Sequence, residues 1–258
     1  MPKFQDHFSG HATAYAHYRP HYPEALFRAL RTAAPEGNVA WDVGCGNGQA
    51  SIALASHFSR VFATDASPQQ IDRAALHSRV RYSVASAEAS GLADHSVDAI
   101  LVAQALHWFD FERFYAEVRR VARPDAVIAA VVYELATITP AIDRQVLRFY
   151  RGGIGPFWPP DRAHIETGYR NIPWPFSGVE LPPLTMAVEW SLADLMGYLG
   201  TWSAVVRYRQ ATGQDPLPEF ERDLTVEWGD PQKKRTVSWP LVTLAGRVGS
   251  TELAGSHR

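Results

Sequence analysis

Residues 39–54 read VAWDVGCGNGQASIAL, and three signals follow one another in them. A five-residue apolar run (39–43, VAWDV) comes first. Three glycines in five positions follow, at Gly44, Gly46 and Gly48. The chain then takes on helical character, with Ile52, Ala55 and Phe58 on one face. Strand, glycine turn and helix in that order open a βα unit. Working outward, residues 60–64 (RVFAT) read as a second strand. Ser67 offers a helix cap, and Pro68 suits the first helical position of PQQIDRAAL. VRYSVA is a third strand candidate and VDAILVAQAL a fourth. FERFYAEVRRVA carries Phe111, Phe114, Tyr115, Val118 and Val121 at helical spacing and is ended by Pro124 and Asp125. AVIAAVVY is a fifth strand.

Strands alternating with helices over 35–135 predict an α/β fold: a Rossmann-like, doubly wound, mostly parallel sheet. Beyond it the pattern breaks. Residues 152–186 are dense in Gly, Pro and aromatics (GGIGPFWPP, IPWPF), which suits neither central strands nor helix interiors. LTMAVEW alternates like a strand, and SLADLMGYLGTWSAVVRYRQ reads as one helix opened by Ser191. LTVEW and RTVSWPLVTLAGRV, separated by a GDP turn, read as a C-terminal antiparallel hairpin. The expected organisation is an N-terminal segment 1–34, a core of 35–136 with 222–258, and an inserted helical and irregular cap at 137–221.

Composition narrows the function classes. The chain has 258 residues, 46% hydrophobic and 20% charged, which are values of a globular protein. A net charge of −2 gives no whole-protein attraction to nucleic acid or acidic membranes. Cys45 is the single cysteine, so no internal disulfide and no multi-cysteine zinc site exists. The start MPKFQDHFSGH has no apolar signal region, and the longest apolar run, 126–133, is far short of a membrane span. A cytoplasmic protein acting on a small molecule is expected, with neither nucleic acid nor membrane as partner; monomer and homodimer both stay open.

The glycine loop lets a ligand touch backbone that a Cβ would shield, at the carboxyl ends of strands where open α/β sheets bind ligands. Position 49 is Gln, no G-K-[ST] follows, and Asp42 opposes a pyrophosphate while favouring a cationic ligand. Asp65, ending RVFATD, has two readings. It is a helix N-terminal acid before Ser67-Pro68, or it accepts both hydroxyls of a ribose. Together with the loop, it points to an adenosine nucleoside with an unmodified ribose.

On these residues the sequence resembles the class I S-adenosylmethionine-dependent methyltransferases over about 35–135. DVGCGNG is similar to their first motif, Asp65 to the acid ending their second strand, and VDAILVAQALHWFD to their fourth-strand motif. The resemblance implies S-adenosylmethionine as cofactor, held by Asp42, Gly44, Gly46, Asp65, Ala66 and Gln104. Ser86, Ala87 and Glu88 fall where the family contacts adenine. A closer similarity carries YxxxRPxYP (Tyr15 to Pro23), ALHWFD (Ala105 to Asp110) and TWS (Thr201 to Ser203). It joins the chain to a microbial subgroup that includes trans-aconitate methyltransferase-like proteins. It implies that 1–34 forms a lid, that Tyr15 packs on the cofactor, and that Arg19 pairs with the methionine carboxylate.

His7/His11 and His17/His21 have i, i+4 spacing, but Pro20 interrupts any helix and no thiol or H-E-x-x-H accompanies them, so no metal site is expected. His107 follows the fourth strand, as a general base, a hydrogen-bond donor or a structural residue. Trp108, Trp158 and Trp202 are substrate-pocket candidates whose alternative role is packing. The expected reaction is in-line methyl transfer to a carboxylate or hydroxyl oxygen. A regulatory protein that binds the cofactor without turnover is the alternative; a nicotinamide oxidoreductase is opposed by Gln49 and Asp42.

Overall fold

The computed structural model describes residues 18–35 and 37–249. The chain divides into two compact units. One comprises 18–21, Tyr133–Glu166 and Thr185–Leu241; the other comprises Tyr22–Val132, Thr167–Leu184 and 242–249. The tryptophan candidates Trp158 and Trp202 lie in the first, the glycine loop in the second.

The second unit contains the expected βα alternation. Its elements are α1 (Glu24–Ala33), β1 (Val39–Val43), α2 (Gln49–Leu54), β2 (Arg60–Asp65), α3 (Pro68–Ile71), β3 (Val80–Val84), β4 (Val97–Ala103) and α4 (Phe111–Val121). β5 (Ala122–Tyr133) follows directly, and β6 is Ser177–Gly178. The strands run β3-β2-β1-β4-β5-β8-β6 across the sheet, with β8 spanning Arg235–Arg247. β1 pairs in parallel with β2 and β4, β2 with β3, and β4 with β5. The order reverses after β1, which puts a topological switch point at the glycine loop. Central β4 is buried from Val97 to Val102, as a strand covered on both faces must be. Asp98 is buried within it and accepts bonds from Val39 N (2.9 Å) and Arg123 Nη1 (2.8 Å), which pins β4 to β1 and β5.

The Ser67 cap read from sequence forms, and a second cap at Asp110 joins it. Ser67 Oγ accepts from Gln70 N behind Pro68, and Asp110 Oδ1 accepts from Arg113 N to start α4. α3 is shorter than PQQIDRAAL suggested: after Ile71 the backbone tightens into i→i−3 bonds (Arg73 N to Gln70 O, Ala74 N to Ile71 O).

The first unit holds α5 (Pro140–Arg148), a π-helical turn (Phe149–Gly153), α6 (Arg162–Glu166), α7 (Leu192–Gly200), α8 (Ser203–Thr212) and α9 (Leu217–Trp228). β7 is Leu184–Trp190 and pairs with β8. Two expectations need correction. The stretch from Ser191 is two helices, because Trp202 is extended (φ −67°, ψ 133°) and Thr201 Oγ1 bonds back to Tyr198 O at 2.6 Å. LTVEW is the last turn of α9 and not a strand. Leu217, Phe220, Leu224 and Trp228 bury one helical face, and this longer period prevails over five residues of alternation. Gly229, at φ 76°, then ends the helix. An antiparallel C-terminal pairing does exist, but β8 makes it with β6, Ser177 opposite Arg247.

Candidate active site

The chemistry-bearing loop leaves β1 at Val43. Cys45 N donates to Thr64 O (3.0 Å), tying the loop to β2, and Gly48 N to Cys45 O closes a turn. Gly44, Gly46 and Gly48 all have positive φ (65°, 55° and 85°), but their surroundings differ. A Cβ on Gly44 would sit 2.7 Å from Ala105 Cβ, and one on Gly48 would run into the Tyr82 ring. One on Gly46 would meet nothing nearer than Gln70 Oε1 at 3.9 Å. Gly44 and Gly48 are therefore packed over, whereas the space a Gly46 Cβ would take is open.

Asp65 ends β2 next to Gly46. Its Oδ2 accepts from Gly46 N (2.8 Å) and its Oδ1 from Ser67 N (2.9 Å), so the reading as an acid before Ser67-Pro68 is the one these bonds display. Two backbone donors fix its carboxylate plane, and each oxygen can accept more than one bond. Ala66 follows at the rim. Asp42 lies beneath the loop, 1% exposed. Ser51 Oγ, on the first turn of α2, donates to Asp42 Oδ2 at 2.5 Å, while the buried Oδ1 has no hydrogen-bond partner among the described residues. Burial pushes the Asp42 carboxyl up to about 7, with the Ser51 bond pulling it down and Asp65 adding a smaller upward push. A dry carboxylate oxygen lacking a donor is the natural counterpart of a cation. The Cys45 thiol is also pushed up, by burial first and then by Asp42 and Asp65, so it is no nucleophile.

The turn after β3 carries Ser86, Ala87 and Glu88. Ser86 bridges Ala89, Ala87 is buried, and Glu88 Oε1 accepts from Asp110 N (3.0 Å) at the start of α4. The turn is anchored from behind by Glu117 on α4, 8% exposed. This carboxylate accepts from Ser90 N (2.8 Å), Ser90 Oγ and both Nε and Nη2 of Arg120. Burial alone would raise its pKa. The bonds from Arg120 and then Ser90 prevail and hold it at about 2.

At the end of β4, Gln104 has φ 56° and donates its backbone N–H to Val131 O. His107 and Trp108 sit on the single 3-10 turn that follows. His107 is buried, its ring 4.7 Å from Trp108 and its Nδ1 2.9 Å from the Tyr169 hydroxyl. Trp108 is 38% exposed, unusual for so large an apolar side chain.

Asp42, Gly44, Gly46, Asp65, Ala66, Ser86, Ala87, Glu88, Gln104, His107 and Trp108 thus belong to one unit. Arg19, Trp158 and Trp202 belong to the other. There Arg19 donates to the Tyr133 hydroxyl (3.0 Å) and stacks on Tyr198, 5.3 Å from its centroid. Trp202 packs against Trp158, Tyr150 and Tyr198, with Arg162 stacked 4.6 Å from the Trp158 centroid. Tyr15, His7, His11 and His17 lie outside the described residues, among which no three metal-ligating side chains come together.

Sequence reasoning missed Ser51, Glu117 and Tyr169. Ser51 was recoverable: a hydroxyl on the first turn after a glycine loop faces back toward the acid preceding it. Glu117 and Tyr169 act across 27 and 62 residues, with no local signal for either contact.

Comparison with known proteins agrees with this geometry. A methyltransferase-domain profile matches residues 41–130, which contain the loop, Asp65 and the β4 turn. A Dictyostelium discoideum protein named as a methyltransferase is 33% identical over 226 residues, covering 86% of each chain. The structure of a type II methyltransferase from Anaeromyxobacter dehalogenans is 50% identical, covers 90% of this chain and 98% of its own, and superposes with a TM-score of 0.84. A methyltransferase of an antibiotic biosynthesis pathway from Anabaena variabilis, 19% identical, shares the fold at a TM-score of 0.52, covering 85% of this chain and 96% of its own. Strand order, glycine loop and full-length similarity together place this chain among the class I S-adenosylmethionine-dependent methyltransferases.

Proposed function

We infer that this chain binds S-adenosylmethionine at the Gly46 hollow and methylates an oxygen of a small-molecule acceptor. The observation that carries the reading is the pairing of an open, Cβ-free floor at Gly46 with two carboxylates of different character. Asp65, oriented by Gly46 N and Ser67 N, suits the ribose diol. The partnerless buried Oδ1 of Asp42 suits the cationic end of the cofactor, so the residues present fit the group. Ala66 and the 86–88 turn take the base, and Gln104 closes the floor. Tyr15 and Arg19 complete the cofactor set in the reading that the sequence resemblance implies.

When bound, the cofactor supplies an activated methyl group on a sulfonium, whose leaving group departs neutral. The chain's own task is alignment and water exclusion. Near-attack positioning of this kind is worth about 7–11 kcal/mol in favourable cases. His107 and Trp108 are the acceptor residues on the β4 side; Trp158 and Trp202 stay the substrate-pocket candidates that the sequence offers in 137–221. A small acid or hydroxyl compound suits this set. Net charge −2 gives no whole-protein attraction to a polynucleotide, and no helix among the described residues is long and apolar enough to cross a membrane. A lone buried thiol suits the reducing cytoplasm.

Titration calorimetry with S-adenosylhomocysteine tests the cofactor half: wild type gives a binding heat, and Asp65→Ala weakens it strongly in a protein that still unfolds cooperatively. Labelled cofactor with a panel of carboxylic acids and phenols tests the acceptor half. Absence of binding by the wild type would overturn the reading.

A further inference from the structure

Tyr169 is fully buried, yet its backbone stands in the left-handed region at φ 61°, directly after Gly168 at φ 56°. A tyrosine in that region is an outlier that persists only where its surroundings over-determine it. The surroundings do so here. The Tyr115 hydroxyl of α4 donates to Pro173 O at 2.7 Å, and Trp174 and Phe176 pack edge-on against the Tyr115 ring, docking the 167–184 segment. The Tyr169 N–Cα twist then aims the phenol at the β4 turn, where its oxygen meets His107 Nδ1 at 2.9 Å.

The chemistry of the pair decides which group donates. A phenol hydroxyl is a stronger acid than a neutral imidazole N–H, and an imidazole sp² nitrogen accepts more strongly than a phenol oxygen. This preference favours the arrangement in which the Tyr169 O–H donates to Nδ1 and the single proton of the neutral ring is carried by Nε2. We propose that Tyr169 is a positioning residue that locks His107 in the Nε2–H tautomer, so that His107 donates a hydrogen bond to the acceptor oxygen and does not remove a proton from it. This rests on the reading above that His107 meets the acceptor, and it names the acceptor class: an oxygen already anionic at neutral pH, hence a carboxylate and not an alcohol. The carboxylate oxygen supplies the electron pair of the new O–C bond as the methyl–sulfur bond breaks, its pair returning to sulfur, and no proton has to leave.

Nitrogen NMR of the full chain labelled with ¹⁵N-histidine, near pH 8 where an ordinary imidazole is neutral, tests the tautomer without any acceptor. The His107 signals are those lost in His107→Gln. The expected spectrum has an aprotic Nδ1 shielded by an accepted bond and a protonated Nε2. Tyr169→Phe moves the Nδ1 signal toward that of an unbonded aprotic nitrogen. A protonated Nδ1 in the wild type overturns the proposal even if Tyr169→Phe fails to fold, and so does a His107 spectrum unchanged by Tyr169→Phe. Turnover with labelled cofactor and a series of carboxylic acids supplies the second arm. His107→Gln, which keeps an N–H donor but cannot act as a base, retains most activity, while His107→Ala loses about ten-fold in kcat/KM. Equal loss in both, or activity confined to phenols and alcohols, overturns the donor role. S-adenosylhomocysteine calorimetry on the same proteins shows separately whether the methyltransferase reading itself holds.

Discussion

Asp42→Asn should make the ligand-free protein more stable in alkaline solution while damaging cofactor binding. The Asp42 carboxyl is held at about 7 against an ordinary 3.8, chiefly by burial. The folded state therefore keeps a proton that the unfolded chain releases, and stability falls as pH rises through the window from about 4 to 7. A displacement of this size amounts to about 4 kcal/mol once the group must ionise in place. Asparagine removes that loss, because it never ionises. It can still accept from Ser51, but it sets an amide N–H₂ where the partnerless Oδ1 lay, which costs about 1–3 kcal/mol. Urea unfolding of both proteins at about pH 5 and about pH 8.5 measures the difference. All other titrating groups are common to the two and cancel. The stability of Asp42→Asn relative to wild type should rise by about 2–3 kcal/mol between those conditions. S-adenosylhomocysteine affinity should fall about 10- to 100-fold, the size of a charge-assisted bond. A stability difference that stays constant between the two pH values would refute the assignment of a buried, proton-holding Asp42.

Three further outcomes are expected. Glu117→Gln lowers stability by about 3 kcal/mol near neutrality, because the folded carboxyl sits at about 2, below its ordinary 4.5. That contribution is present above pH 4.5 and is lost as pH falls through 2, so the deficit in urea midpoint should shrink in acid. Gly44→Ala and Gly46→Ala separate packing from binding. The first drives a Cβ to 2.7 Å from Ala105 Cβ and should lower Tm sharply, while the second meets open space and should bear mainly the left-handed strain of about 1–2 kcal/mol. Gly46→Ala should nevertheless abolish the calorimetric heat with S-adenosylhomocysteine; intact binding would show that the hollow is not the cofactor floor. Trp228→Ala, emptying the buried face of α9, should cost about 3–5 kcal/mol in chemical unfolding, while Val226→Ala, at a position 81% exposed on the same helix, should cost about 0.5 kcal/mol or less; a core-like loss at Val226 would restore the strand reading of LTVEW.

The parts of the fold legible in the sequence are those written in local signals. The glycine triplet, the acid ending RVFATD, the Ser67-Pro68 cap and the unbroken apolar run of β4 each depend on neighbours a few residues away, and each leads to the element observed. LTVEW misled because five residues of alternation are also compatible with two buried positions of a helix. Only Phe220 and Leu217, one and two turns upstream, decide between them. The break at Thr201–Trp202 was hidden because neither residue is a helix breaker by propensity; a side-chain bond to Tyr198 O ends the helix. In the site, Asp42 and Asp65 were visible, but their difference in character was not. One is dry and lacks a donor to Oδ1, the other is gripped by two amides, and that contrast arises from Ser51, Gly46 and Ser67 arriving in three dimensions. Tyr169 lay in a Gly- and Pro-rich stretch without periodicity, so nothing marked it as the partner of His107.

The aromatic unit is stitched from three separated stretches, 18–21, Tyr133–Glu166 and Thr185–Leu241, while its companion claims the residues between and after them. No single pair of cuts releases it, and no contiguous graft transplants it. Recombination between relatives at one breakpoint would leave Arg19, Tyr133 and Tyr198 drawn from different parents, although they touch. The unit should therefore diverge by substitution within an intact lineage, and chimeras intended to exchange it must carry all three pieces at once.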